Sequence, residues 1–147
     1  MLSKRIELHD VEKISKINPE SMTFVHKYQV DMSMRNLAPK TQKHYMYDLF
    51  QWLIYVLDHQ QNKSVLQLTD EDITEFLFFC KSYGNNSARL KFRTSVISAF
   101  YKFMRKKKFI SENPTEFIDR PKRGQSIIPQ NYLTPEQIAL LDRKSVV

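Results

Sequence analysis

Between Lys81 and Lys108 the chain carries nine basic side chains and no acidic one: Lys81, Arg89, Lys91, Arg93, Lys102, Arg105, Lys106, Lys107 and Lys108. At helical spacing, Ser87, Lys91, Thr94, Ser98, Lys102 and Arg105 fall on one side. Small hydroxyls between cations let a helix approach a phosphate backbone closely or enter a major groove. A second stripe lies upstream, where Lys40, His44, Tyr47 and Gln51 recur at helical spacing, with Thr41 and Lys43 beside them. Lys122 and Arg123 follow in a segment without helical period, where they would touch phosphates if that segment tracks a duplex. Donors and cations of this kind bind a polyanion. A solvated helix face is the plainer account of any charge run, and the Lys106–Lys108 cluster also complements a helix C-terminus.

Catalytic chemistry finds less support. His9, His26, His44 and His59 are scattered, without carboxylates or cysteines at ligand spacing, so no metal is expected. Gly84 and Gly124 are the two glycines and build no phosphate loop, and no other cofactor is implied. Asp70, Glu71 and Asp72 read as first-turn helix charges. Cys80 excludes an internal disulfide and follows the apolar run Phe76–Phe79, which reads as a buried structural thiol.

The elements that would position these groups are helices. The composition, 41% hydrophobic with two glycines in 147 residues, fits one helical core of ordinary size. Lys4 to Ile17, with Ile6, Val11, Ile14 and Ile17 apolar, reads as a short helix or tail. A helix begins at Pro19 after Asn18 and runs to about Asn36, burying Phe24, Val25, Tyr28 and Met32. The next starts at Pro39, where a proline's fixed φ suits a first helical position, and ends near Asp58. Its buried side is Tyr45, Leu49, Trp52, Leu53 and Val56. Thr69 caps a third helix that stops at Tyr83-Gly84-Asn85-Asn86. A fourth spans about Ser87 to Lys107 and buries Phe92, Val96, Ala99, Phe100 and Phe103. Arg120 to Gln130 has linker character, and Thr134-Pro135-Glu136-Gln137 forms a capping box for a further helix holding Ile138 and Leu141. No signal pattern or membrane-length apolar run is present, which points to a cytoplasmic protein. The net charge of +7 permits an anionic partner without identifying one.

The order of these pieces resembles the N-terminal core-binding domain of tyrosine recombinases, the phage-integrase family. The matching features are Asn36-Leu37-Ala38-Pro39-Lys40-Thr41 with Tyr45, Leu49 and Trp52, then Leu68-Thr69 before Ile73 and Phe76-Leu77. Ser95 to Tyr101, Phe109-Ile110-Ser111-Glu112-Asn113-Pro114, Pro121-Lys122 and Tyr132 to Leu141 complete the series. The resemblance implies an all-α fold, a SAM-like orthogonal bundle of four to five helices. It divides the chain into an N-terminal extension (1–18), a DNA-binding core (19–119), an interdomain linker (120–131) and the start of a catalytic domain (132–147).

By the same resemblance, the helical domain is one half of a C-shaped clamp on double-stranded DNA, and the parent acts in DNA integration and recombination. The other half would hold the arginines, histidine and lysine that stabilise a phosphorane and the tyrosine that attacks it. No His-x-x-Arg-His motif occurs, so none of those residues is placed here and the chain itself is expected to grip DNA without cutting it. The parent's protomers would meet in a synaptic tetramer, while this fragment is expected to be monomeric and to have no membrane partner. Ala38 stands where the family commonly has serine, which implies a helix without its usual side-chain cap. A cationic module for an acidic protein partner and a stand-alone DNA-binding regulator are the competing readings. The connection from Leu57 to Thr69 is too long for a helix-turn-helix regulator.

Overall fold

The computed structural model describes residues 11–118, and all the regular structure within them is helical. The elements are α1 (Val11–Ile14), α2 (Pro19–Met34), α3 (Pro39–His59), α4 (Asp70–Ser82) and α5 (Ser87–Lys106). This is the all-α bundle expected, with the ends of α2 to α5 within two residues of those read from the sequence, while α1 ends at Ile14 instead of Ile17. The expectations for Ile6, for the linker with Arg120, Lys122 and Arg123, and for the helix begun at Thr134 lie outside the described residues.

Local chemistry sets the boundaries. Asn18 caps α2 by accepting from the Glu20 amide at 2.8 Å, with Pro19 in the first turn. Thr69 and Asp72 form a reciprocal capping box on α4, with bonds of 3.2 and 3.0 Å. Asn86 caps α5 through the Arg89 amide at 2.8 Å. Three helices end alike. Asn36, Gly84 and Lys108 take left-handed φ values of 60°, 100° and 65°. The following amides, Leu37, Asn85 and Phe109, donate back to the carbonyls of Met32, Cys80 and Met104.

α3 is the centre. It packs against each of the other four helices, and six consecutive residues from Gln51 to Val56 are buried. Trp52 meets Phe100 and Tyr101 of α5 edge-on, at 6.1 and 5.8 Å between ring centroids. Tyr55 packs on Phe76 and Phe79 of α4 at 5.3 and 4.8 Å. Tyr28 of α2 closes the core against Phe100 and Phe103. Burial pushes the Tyr28 hydroxyl up to about 12.

The loop from Gln60 to Leu68 is polar in sequence but fixed in place. The Gln60 side chain donates to the Asp72 carbonyl at 2.9 Å, and the Val65 amide donates to buried Ser21 Oγ at 2.9 Å. Tyr101 Oη donates to the Val65 carbonyl at 2.8 Å. Asn62 accepts from the Asn18 amide and donates to the Lys16 carbonyl, which holds the segment after α1 against the bundle. Ile17 is buried there, and Lys13 pairs with Asp58 at 2.7 Å.

The central place of α3 corrects one expectation. Gln51 sits on the side read as solvent-facing, yet it is 1% exposed. A helix covered on several sides is apolar or buried around most of its circumference, so the stripe of Lys40, His44, Tyr47 and Gln51 ends before its last member.

α5 needs a larger correction. Thr94 and Ser98, expected opposite the core, are buried, and so is Arg93. Phe92, expected in the core, is 37% exposed, and Ala99 is half-buried. Contacts with α2, α3 and α4 enclose most of the helix and leave a narrow outer stripe. That stripe runs through Ala88, Lys91, Ser95, Ala99, Lys102 and Lys106. The hydroxyl between the cations is therefore Ser95, with alanines on either side, in place of Thr94 and Ser98.

Candidate nucleic-acid interface

α3 begins with an uncapped N-terminus. Ala38 has no side-chain cap bond, and the first turn holds no acid. The amides there keep the positive end of a 21-residue helix dipole. Lys40, Thr41, Lys43 and His44 are all exposed around it, and Tyr47 is half-buried one turn on. Orphan amides with adjacent cations suit an anionic oxygen.

The first half of α5 lies beside this end. Tyr45 contacts Phe92 edge-on at 5.9 Å, in the same order along both helices as Trp52 meets Phe100. Arg89 Nη1 and Nη2 donate to Asp48 Oδ2 and Oδ1 at 2.8 and 2.6 Å. Asp48 is 3% exposed, so this bidentate pair clamps α3 to α5 across a largely buried seam. The hydrogen bond to Asp48 raises the Arg89 pKa above the ordinary guanidinium value, against the opposing effect of burial. Its charge is thus largely matched within the fold, which makes Arg89 a buttress more than a free phosphate ligand. The guanidinium also lies over the Phe92 ring, at 5.8 Å.

Arg93 is removed from the surface. Its Nε donates to Asn85 Oδ1 at 2.8 Å, its guanidinium lies 5.7 Å from the Phe76 ring, and Nη1 has no partner among the described residues. Burial lowers its pKa from the usual value. Arg93 therefore holds the α4–α5 turn from inside. Cys80 lies close to it, with a thiol that burial pushes up to about 11 despite the opposing pull of Arg93 and Arg89.

The candidate residues accordingly separate. Lys40, Thr41, Lys43, His44, Lys91, Lys102 and Arg105 are exposed, and Ser87 and Tyr47 are half-buried. Gln51, Arg93, Thr94 and Ser98 are interior, and Arg89 is paired. Lys122 and Arg123 lie outside the described residues. Asp48, the acid that organises the seam, escaped the sequence reading because an isolated aspartate within an apolar helix has no local pattern. Ser95 and Lys106 were missed as members of the outer stripe because the helical phase was set by Phe92. Among the described residues, no group of three His, Cys, Asp or Glu side chains is placed to hold a metal ion. No helix there is long and apolar enough to cross a membrane.

Comparison with known proteins agrees with this architecture. The chain is 28% identical to tyrosine recombinase XerD of Oceanobacillus iheyensis over 93 residues, which cover 63% of this chain and 31% of that protein. It is 25% identical to tyrosine recombinase XerC of Anoxybacillus flavithermus over 118 residues, covering 80% and 37% respectively. The match thus spans about a third of the length of these curated relatives. No solved structure matches the chain. Residues 25–108, from the middle of α2 to the end of α5, match the family described as phage integrase, N-terminal SAM-like domain. The chain belongs to the phage-integrase family, through this SAM-like domain.

Proposed function

We propose that this chain is the DNA-gripping part of a tyrosine-type site-specific recombinase, and that its N-terminal helix ends contact the backbone of double-stranded DNA. One observation carries the reading. Exposed Lys40, Lys43 and Lys91 surround the neighbouring N-terminal ends of α3 and α5, and no acid occurs from Met32 to Tyr47 or from Phe76 to Ser111. Asp48, the carboxylate beside that end, is buried and matched by Arg89. The resulting uncompensated charge suits phosphates, which supply most of a protein's sequence-independent affinity for DNA. The family and the names of the relatives support a role for the parent in strand exchange, with catalysis carried by other residues than those described.

The test is binding of a fluorescent mixed-sequence duplex at low salt. Lys43→Ala and Lys91→Ala each remove an exposed cation without touching the core, so each should weaken binding several-fold and shift stability by less than about 0.5 kcal/mol. An absence of duplex binding by the unaltered chain would reject the reading and favour an acidic protein partner for the same surface.

A further inference from the structure

The far end of α5 carries a second feature that the helix N-termini do not explain. A cavity of about 540 Å³ opens between the last turns of α5 and the segment after it, lined by Ser98, Lys102, Arg105, Lys106, Asn113 and Thr115. Glu116 and Ile118 complete the rim. Among the described residues, three cations therefore face one space against a single carboxylate. Glu116 is half-exposed and lies 3.7 Å from Arg105, a separation at which it offsets little of the charge.

The neutral groups in the wall are oriented as donors. Asn113 Oδ1 accepts from the Thr115 amide at 2.8 Å and from Thr115 Oγ1 at 2.7 Å. The backbone N–H fixes which end of the carboxamide is the oxygen. Both Nδ2 hydrogens are then left without a partner among the described residues, on a side chain that lines the cavity. Thr115 has one hydroxyl proton, given to Asn113, so the 3.4 Å contact between Thr115 Oγ1 and Ser98 Oγ leaves the Ser98 proton to Thr115 or to the cavity. Lysines, an arginine, a carboxamide NH₂ and a hydroxyl make a wall that donates and accepts little.

We propose that this cavity is a phosphate-group site, in which Lys102, Arg105, Lys106 and the Asn113 carboxamide grip one tetrahedral anion together. Its occupant is a backbone phosphodiester of DNA, an assignment that rests on the function proposed above. The cavity lies about 16 Å along α5 from Lys91, eleven residues at 1.5 Å each. Duplex held at the N-terminal ends is thereby fixed at a second point, and the Asn113–Ile118 segment is ordered by the same contact.

A double-mutant cycle on the full 147-residue chain tests this, using Lys102→Ala, Lys106→Ala and both together in duplex titrations from 0.05 to 0.4 M NaCl (roughly the range over which counterion release is read). Arg105 and Asn113 remain in every variant, so one shared phosphate predicts that the pair loses less than the sum of the two single variants and at most roughly eightfold at 0.1 M relative to 1 M salt. The pair should also flatten the log–log salt slope by at most about one. Independent losses that add, with a slope change near two, would overturn the shared site. The second readout is the Asn113 side-chain amide resonance of the unaltered chain. It should shift on adding duplex, and also saturably on adding inorganic phosphate at matched ionic strength.

If the chain binds duplex while the Asn113 amide stays still, the cavity proposal falls and the function stands. If it binds no duplex, the phosphate arm decides alone. A saturable shift then upholds the anion site without DNA, and an unmoved resonance overturns it.

Discussion

Lys108 takes a φ of 65° at the end of α5, in the position that Asn36 and Gly84 occupy after α2 and α4. An L-residue with a Cβ pays roughly 1–2 kcal/mol for that conformation, while glycine adopts it freely. Lys108→Gly is therefore expected to stabilise the domain by about 1 kcal/mol, seen as a higher denaturant midpoint with an unchanged m-value. The thiol of Cys80 gives a prediction of the opposite sign at high pH. Burial raises its pKa from 9.0 to about 11. Its contribution is then fully present below pH 9, where both states keep the proton, and is lost as pH rises from 9 through 11, where the unfolded chain ionises first. Unfolding free energy measured across that window should fall more steeply for the unaltered chain than for Cys80→Ala. Equal slopes would place the thiol in a more polar setting than the structure gives it.

At the scale of elements, the start of α3 is where stability and the proposed DNA contact meet. Ala38 leaves the first turn uncapped, and Ala38→Ser should raise the thermal midpoint by several degrees, from about 1 kcal/mol of added capping. An unchanged midpoint would mean that water or a neighbouring group already satisfies those amides. The same helix shows how far the sequence was legible. Pro19, Pro39, Thr69 and the Tyr83-Gly84 break marked helix ends because capping and turn chemistry are local. The solvent-facing residues were harder. A single amphipathic template assumes one buried side, whereas α3 is covered by four neighbours and α5 by three. Such a template turns Gln51, Thr94 and Ser98 outward and leaves Arg93 among the free cations, whereas all four are buried. The Asp48–Arg89 clamp joins residues 41 positions apart, and no helical spacing announces such a pair. Lys40, Lys43, His44, Lys91 and Lys102 are exposed, as their spacing implies, because no other described helix packs there.

For the whole molecule, the fold divides its cations by task. Arg89 and Arg93 hold the α3–α4–α5 junction from within. Lys40, Lys43, Lys91, Lys102, Arg105 and Lys106 remain on the outside, at the two ends of α5 and the start of α3. In the proposed complex, setting aside paired Arg89 and buried Arg93 lowers the number of phosphates the domain can neutralise, and the proposed sharing of one phosphate by Lys102, Arg105 and Lys106 lowers it further. About four remain. Duplex affinity measured as a function of salt tests this account most directly. With a slope of about −0.9 per phosphate, log affinity against log salt should have a slope of about −3.5 to −4. A slope shallower than about −2, or no duplex binding at low salt, would contradict the claim that this surface grips DNA.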